Sequence, residues 1–219
     1  ISKILWIILF INVTISILKI IVGDFIRSAS MVADGFHSLT DGVSNIVGLI
    51  GVKLASKPKD EDHPYGHRKF ETLSGLCIGG MLFLIAGKII MNAFYCFLHP
   101  VVPRVTIESL IILIITLCIN IIISTLEFKQ GKKLESDILI SDSIHTRSDI
   151  FISMGVLFTL LCIKLGLPSI IDTIASLIVA ALIIKSSFEI FNVTIGVLVD
   201  KKVVDDKKIK EIAMKFEQV

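Results

Sequence analysis

The chain has 219 residues, of which 53% are hydrophobic, and a formal net charge of +2 at pH 7. The apolar fraction alone does not separate it from a soluble domain, and so small a charge gives no reason to expect a nucleic-acid partner. The distribution is more informative, because charges cluster in short stretches separated by apolar runs of about 20 residues, the length that crosses a bilayer core. Helices of a soluble fold would need a wet face, which these runs lack.

The pattern predicts an all-α polytopic membrane protein with six membrane-spanning helices. The first three are expected over 4–22, 29–56 and 70–97, and the fourth over 106–128. The fifth should run from 137 to the segment KLGLPS at 164–169, and the sixth over 170–198. Residues 1–199 are therefore assigned to a transmembrane domain. The strongly charged segment 200–219 is expected to begin a cytoplasmic C-terminal domain that continues past the last residue.

Lysine and arginine concentrate in three segments, 57–69, 129–133 and 201–215. They follow the second, fourth and sixth helices, so an even number of spans places all three on one side of the membrane with the N-terminus. Positive residues mark the cytoplasmic side. Both termini are therefore expected in the cytoplasm, and the expected location is a prokaryotic inner membrane.

A charged pattern, Asp-x-x-His-x-x-Ser/Thr-Asp, occurs twice, as DGFHSLTD at 34–41 and as DSIHTRSD at 142–149. Residues three, four and seven apart return to nearly the same face of a helix, so each copy forms a polar stripe on the second or the fifth helix. An ionisable side chain at the bilayer centre costs about 2.5–3.5 kcal/mol unless it faces a cavity or a partner. The two stripes are therefore expected to face each other.

The histidine and the last aspartate of each copy are four residues apart and can hold one ion together. His37 with Asp41, and His145 with Asp149, then supply two nitrogen and two oxygen ligands in a tetrahedral set that suits Zn²⁺. Nitrogen ligands argue against Mg²⁺ and Ca²⁺ but leave Fe²⁺, Co²⁺, Mn²⁺ and Cd²⁺ open. The alternative is that these side chains only hydrogen-bond the helices together. Two copies with the same spacing favour the metal site.

The first aspartate of each copy, Asp34 or Asp142, lies one turn from its histidine. Each could orient the imidazole by a hydrogen bond to the ring nitrogen that does not bind the metal, or it could line a water path, and both readings stay open. Three lysines also lie within apolar runs, namely Lys19, Lys88 and Lys185. They are expected to reach an interface or to pair with an acid, and they are assigned no transport role.

The link between the second and third helices, KPKDEDHPYGHRKFE at 57–71, has a cluster of its own. His63 and His67 flank a Pro-Tyr-Gly turn, which could fold both imidazoles onto one ion together with Asp60. As a bare pattern, this segment also fits an ordinary solvated acidic loop.

Three segments, ADGFHSLTD, HPYGHRKFE and SDSIHTRSD, occur in this order on the six-helix frame. They resemble the cation diffusion facilitator family of divalent-metal/proton antiporters over the whole chain, and the Gly-His-x-Lys-x-Glu element is specific to that family. The resemblance implies that the two His/Asp pairs form the intramembrane transport site. It also implies that Asp60, His63 and His67 form a second metal site in the cytoplasmic loop. Histidine on both helices resembles the zinc-selective members, whereas manganese-type members tend to carry Asn on the second helix and Asp at the position of His145.

The resemblance further implies a homodimer in the lipid bilayer, with charges near the cytoplasmic ends of the third and sixth helices that can pair across it. Lys69 and Asp200 match those positions, and two ordinary interfacial charges are the alternative. Family members usually carry a cytoplasmic ferredoxin-like domain after the sixth helix, of which this chain would hold only the first residues.

The function implied is efflux of a divalent metal, with Zn²⁺ as the transported substrate and protons as the counter-ion, by alternating access. Ligands must lose protons to bind a metal, and imidazoles titrate near neutral pH, so His37 and His145 are the expected proton carriers. Transporters of the same type that prefer manganese, iron or cadmium, and a static intramembrane metal sensor, stay open.

Two other classes fit less well, and no enzyme activity is expected. An intramembrane metalloprotease would need a pair of the H-E-x-x-H type, which the chain does not contain. A channel would need a continuous polar lining, whereas the third, fourth and sixth helices have few polar residues.

Overall fold

The residues described by a computed structural model of the chain form six α-helices joined by short links. The described residues are 2–134 and 137–199, with the backbone alone for residues 2–5, 137–139, 141 and 142. The helices are α1 (Ser2–Phe25), α2 (Ala29–Ala55), α3 (Lys69–Leu98), α4 (Ile107–Lys133), α5 (Asp137–Lys164) and α6 (Ile170–Leu198). Within these described ranges there is no strand, which confirms the predicted all-α fold. The segment 200–219, expected to begin a cytoplasmic domain, lies outside the described residues.

Five of these helices, α1, α3, α4, α5 and α6, are long and apolar enough to cross a membrane by length and composition. The remaining helix, α2, has 27 residues, which is a sufficient length. It is less apolar because it carries the stripe of Asp34, His37 and Asp41 together with several serines. The polytopic membrane fold predicted from the sequence is confirmed, and the weaker apolar character of α2 reflects the polar face that it turns to its neighbours.

The structure changes the expected end of α4 and defines the end of α5. α4 continues to Lys133, five residues beyond the expected end, with Lys132 and Lys133 in its last turn. Cations there interact favourably with the negative end of the helix dipole, so a basic link extends the helix instead of stopping it. α5 ends where Gly166 adopts φ +98°, and the Leu167 N–H donates to the Cys162 carbonyl at 3.1 Å. This is the hydrogen-bond pattern of a glycine-terminated helix.

α2 lies in the middle of the bundle and packs against α1, α3, α5 and α6. Two apolar clusters hold it there. One joins α2 to α3 and α6 around Ala33, Ala86 and Ala180, all fully buried. The other joins the start of α2 to α4 and α5, and includes Met31 and Leu113. Small side chains let the backbones approach closely, and the central position keeps the polar stripe of α2 away from lipid.

The end of the bundle at the α1–α2 turn is fastened by polar contacts. The carboxylate of Asp172, at the start of α6, accepts a hydrogen bond from the Ala29 N–H at 2.6 Å and from the Ser28 hydroxyl at 2.8 Å. The Ser30 hydroxyl donates to the same carboxylate. In addition, the Arg104 N–H in the α3–α4 link donates to the Ile26 carbonyl at 2.8 Å. Asp172 therefore caps α2 from another helix by accepting from the Ala29 and Ser30 N–H groups, two of the backbone donors that a helix start leaves open.

Candidate metal centre

The polar stripes of α2 and α5 meet inside the bundle. His37 Nε2 on α2 lies 3.5 Å from Asp149 Oδ1 on α5. His145 Nε2 on α5 lies 3.4 Å from Asp41 Oδ1 on α2. Each histidine thus faces the carboxylate of the other helix, and the structure brings all four side chains predicted as ligands into contact.

The spacing of three of these side chains, His37, Asp41 and Asp149, suits one metal ion, and His145 lies against the same carboxylate as His37, that of Asp41. A tetrahedral Zn²⁺ site with bonds of about 2.0–2.1 Å places neighbouring ligand atoms about 3.3–3.4 Å apart. The two inter-helix N···O distances of 3.4 and 3.5 Å are close to that value. One ligand atom each from His37, Asp41 and Asp149 can be chosen so that all three lie within 4.8 Å of one another, and His145 joins this group through Asp41.

Several polar atoms of the centre are buried without a hydrogen bond. His37 Nδ1, Asp41 Oδ2 and Asp149 Oδ1 have no hydrogen-bond partner among the described residues. Buried polar groups are normally hydrogen-bonded, so three orphaned atoms of ligand type in one place need an explanation. A cation held among them would satisfy that requirement, because carboxylate oxygens and a neutral imidazole nitrogen are good donors to a divalent ion.

Asp34 does not orient the imidazole of His37 in this structure. Its carboxylate lies 2.9 Å from the Lys19 ammonium and accepts a hydrogen bond from the Ser153 hydroxyl at 3.0 Å. Both groups are charged or polar and fully buried, so they satisfy Asp34 completely. The side chain of Asp142, the matching residue of the second copy, lies outside the described residues.

The three lysines that lie within apolar runs each have a partner in the structure. Lys19 pairs with an acid, as expected, although it is fully buried instead of reaching an interface. Lys185 lies 3.8 Å from Glu189 one turn further along α6. The Lys88 ammonium lies 5.4 Å from the ring centre of Phe36, a distance typical of a cation–π contact.

The cluster in the α2–α3 link forms as the sequence suggested. Asp60 Oδ1 lies 3.0 Å from His63 Nδ1, and Asp60 Oδ2 lies 3.3 Å from His67 Nε2. The turn between the histidines closes with a 2.9 Å bond from the Gly66 N–H to the His63 carbonyl, and Gly66 takes φ +87°. His67 is buried against the ring of Phe70, with the ring centres 5.7 Å apart. The two imidazoles and one carboxylate therefore converge and can bind an ion together.

The charge of Asp60 suits that arrangement. Desolvation acts to raise the pKa of its carboxyl. Hydrogen bonds from the ring and the backbone N–H of His63, together with the nearby imidazoles, outweigh it and hold that pKa below its usual range. Asp60 therefore stays ionised well into acidic solution. Lys69 begins α3 just beyond this cluster. Its proposed partner, Asp200, lies outside the described residues, so their pairing stays a prediction.

Sequence reasoning missed three buried polar residues near the two stripes. Glu127 on α4 accepts a hydrogen bond at 3.0 Å from Thr146, the residue that follows His145. Ser153 on α5 holds Asp34, and Asp172 caps α2. The available signal was a charged or polar residue within an apolar run, as for Glu127 near the end of the apolar stretch of α4.

The fold and the centre define a class, that of polytopic membrane proteins with a buried His/Asp centre between two spanning helices. Residues 5–199 match the cation efflux transmembrane domain. The chain belongs to this family of metal cation transporters, which confirms the resemblance seen in the sequence, and it is an integral membrane protein.

Several relatives are similar over most of the chain. An uncharacterized transporter of Methanocaldococcus jannaschii is 40% identical over 82% of the chain and 63% of its own length. The manganese efflux system protein MneP of Bacillus subtilis is 34% identical, over 87% of the chain and 65% of its length. A cadmium, cobalt and zinc/H(+)-K(+) antiporter of Bacillus velezensis is 32% identical, over 84% of the chain and 58% of its length. The chain thus spans less than two thirds of the length of these relatives.

Proposed function

We propose that this chain is the transport unit of a divalent-metal efflux protein that moves Zn²⁺ in exchange for protons by alternating access. The observation that carries the proposal is the pair of contacts between stripes, His37 to Asp149 at 3.5 Å and His145 to Asp41 at 3.4 Å. A centre with two imidazoles and two carboxylates, buried at His37 and Asp149 and exposed at His145, lies between helices that cross the membrane and would bind a cation part-way along its path.

The donor set favours Zn²⁺ over harder ions. Two nitrogen and two oxygen donors in tetrahedral spacing suit Zn²⁺ and are shared with Co²⁺, Fe²⁺ and Cd²⁺, whereas Mn²⁺ prefers sites rich in oxygen. The names of the relatives do not choose between zinc and manganese, because one relative is named for manganese and another for cadmium, cobalt and zinc. Manganese efflux is therefore the second candidate, and the metal comparison below separates the two.

Proton exchange follows from charge balance at the centre. The carboxylates of Asp41 and Asp149 carry two negative charges, which one divalent cation neutralises. Without the metal, one proton on each of His37 and His145 restores the same balance. Loading the metal therefore releases protons, and protonation from the far side promotes its release there.

The relatives, the basic links and two exposed charges on α6 support a homodimer in the plasma membrane, with both termini in the cytoplasm. Bacterial and archaeal relatives, and the basic segments after α2 and α4, fit an inner membrane with those links in the cytoplasm. Lys185 and Glu189 lie mid-way along α6 and are 73% and 66% exposed. Charges at that depth are costly against lipid, so a second copy covering this face of α6 is the economical arrangement. The cluster of Asp60, His63 and His67 would then be a second metal site on the cytoplasmic side.

The decisive experiment is metal uptake into proteoliposomes under an imposed pH gradient, with Zn²⁺ and Mn²⁺ compared side by side. The intact chain should take up Zn²⁺ faster than Mn²⁺, and uptake should stop when the gradient is collapsed. His145→Ala should abolish uptake. His99→Ala is the matched control, because His99 lies at the end of α3, stacked on Tyr95 and outside both clusters. Uptake that survives His145→Ala would refute the assignment of the centre, and faster Mn²⁺ uptake would select the second candidate.

A further inference from the structure

A buried charge cluster lies next to the candidate centre and is not part of it. It consists of Lys19 on α1, Asp34 on α2 and Ser153 on α5. The Lys19 ammonium lies 2.9 Å from Asp34 Oδ2 and donates to the Ser153 hydroxyl at 2.7 Å. The Ser153 hydroxyl in turn contacts both oxygens of Asp34, at 3.0 and 3.1 Å. One charge pair and one hydroxyl thus join three helices, and we call these three residues the ionic tie.

The tie continues both metal-binding stripes in the same direction. Asp34 precedes His37 by one turn on α2, and Ser153 follows Asp149 by one turn on α5. Because these helices face each other with opposite chain directions at the stripes, both positions lie at the same end of the centre. At a rise of 1.5 Å per residue, the tie lies about 4.5–6 Å beyond the ligands, on the side of the α1–α2 turn.

Access from solvent changes steadily along the two stripes. On α2 the exposed side-chain fraction is 0% for Asp34, 6% for His37 and 20% for Asp41. On α5 the same measure is 12% for Asp149 and 50% for His145, while Ser153 is fully buried. The side chains are therefore exposed towards the end near the α2–α3 link and buried towards the end occupied by the tie.

The close approach of α1 that makes the tie possible is built into the sequence. A Cβ atom added at Gly35 would lie 2.7 Å from Ile20 Cγ1 and 3.2 Å from Lys19 Cβ. Glycine beside Asp34 therefore lets α1 pack against α2 closely enough for Lys19 to reach the carboxylate. Lysine carries its charge at the end of a long flexible stem, so contact with both α2 and α5 depends on this packing.

We propose that the ionic tie of Lys19, Asp34 and Ser153 is the seal that closes the metal path on the side of the α1–α2 turn. This proposal rests on the transport function proposed above. With the tie closed, α2 and α5 are held together beyond the centre, and the fixed ammonium repels a cation that would leave in that direction. Release of the metal on that side requires Lys19 to separate from Asp34 and Ser153, so that the ends of α2 and α5 can part. Lys19 is a positioning residue, because it acts on the path and does not contact the metal.

A tie that only stabilises the fold makes different predictions from a seal. Loss of a structural contact near the centre would weaken metal binding and transport together. Loss of a seal would leave binding nearly intact, while the path would conduct from both sides and coupling would fail. The two readings therefore separate when affinity and leak are measured on the same variants.

The test uses the whole chain in proteoliposomes, with Zn²⁺ affinity measured by calorimetry and proton leak by an internal pH dye without metal. Lys19→Met combined with Asp34→Asn removes both charges, so no unpaired charge is left buried. Ser153→Ala removes only the hydroxyl and keeps the ion pair. In both variants we expect affinity within about threefold of the native chain and a proton leak raised about tenfold, the change that a barrier lowered by one fixed interaction gives.

Ser187→Ala is the matched control, because Ser187 is an equally buried serine whose hydroxyl donates to the Gly79 carbonyl at 2.9 Å and joins α6 to α3 away from the centre. It should leave the leak unchanged. Tight, coupled vesicles with the tie variants would overturn the proposal, and so would a loss of affinity that parallels the loss of transport. A native chain that moves no metal would reject the transport function instead, while the leak comparison would still report on the seal.

Discussion

His145 Nε2 on the fifth helix lies 3.4 Å from Asp41 Oδ1 on the second, although 104 residues separate them along the chain. In this contact and in its counterpart from His37 to Asp149, the histidine of one copy of the motif faces the last aspartate of the other copy. Within α2, His37 Nδ1 also lies 3.7 Å from Asp41 Oδ2, so His37 stands between the carboxylates of both copies. The centre exists only while α2 and α5 remain in register, so any motion that separates these helices also dismantles the binding site.

Asp41→Asn should weaken Zn²⁺ binding at the centre by more than about 100-fold. Loss of a residue that only hydrogen-bonds a metal ligand typically costs about 10- to 100-fold in affinity. Asp41→Asn should cost more, because it removes a charged ligand atom and half of the negative charge of the centre. Titration calorimetry on the purified chain in micelles measures the effect. Glu108→Gln is the control, since Glu108 is an exposed acid in the first turn of α4 and belongs to neither cluster. Equal affinities for Asp41→Asn and the native chain would remove Asp41 from the ligand set.

Metal binding in the α2–α3 link should not be limited by Asp60 as the pH falls from 7 to 5. The pKa of Asp60 is lowered from 3.8, chiefly because hydrogen bonds from His63 outweigh desolvation. A carboxyl with a depressed folded-state pKa contributes above its unfolded value and loses that contribution only as the pH falls through the lower folded value. Any loss of bound metal between pH 7 and 5 should therefore come from protonation of the imidazoles.

This pH dependence can be measured as Zn²⁺ binding in a background of Asp41→Asn and Asp149→Asn, which leaves only the loop cluster. His67→Ala should abolish that binding, whereas Asp62→Asn, the neighbouring acid outside the cluster, should not. A pH profile that shifts when Asp60 is changed to Glu, but not when His63 is changed to Gln, would contradict the assignment of the limiting groups.

Asp172→Asn should lower the unfolding free energy by about 1.5–3 kcal/mol, the range for a lost hydrogen bond to a charged group. Its carboxylate accepts the Ala29 N–H and two serine hydroxyls at the start of α2. Thermal unfolding in micelles measures the change. Asp24→Asn, an exposed acid at the same end of the bundle, should unfold like the native chain. If both variants unfold alike, the cap contributes nothing to stability.

Two glycine-to-alanine substitutions on α2 should have opposite effects on stability. Gly35→Ala would place a Cβ 2.9 Å from the Ile20 backbone nitrogen, and the overpacking should cost about 1–3 kcal/mol. Gly48→Ala meets no atom within 4 Å and should stabilise the helix by up to about 1 kcal/mol, because alanine favours the helical state. Melting curves recorded under identical conditions test the pair. A stable Gly35→Ala variant would mean that α1 can move away from α2 at little cost.

The sequence by itself determined the helices, the two polar stripes and the residues that can bind a metal. These properties depend on local spacing: the length of an apolar run sets a span, and a spacing of three, four and seven places His37 and Asp41 on one face. The turn that brings His63 and His67 together is local as well, since Gly66 lies between them.

Partner choice between helices was decided only by the tertiary structure. Asp34 has the same local spacing to His37 whichever way it points, yet it pairs with Lys19 and Ser153, which lie on two other helices. Asp172 caps a helix that begins 143 residues earlier. Such contacts depend on the rotation and depth of each helix, which the packing of small residues such as Gly35 controls. A buried charge is costly unless a partner lies within hydrogen-bonding distance, and the packing of the helices decides which group that partner is.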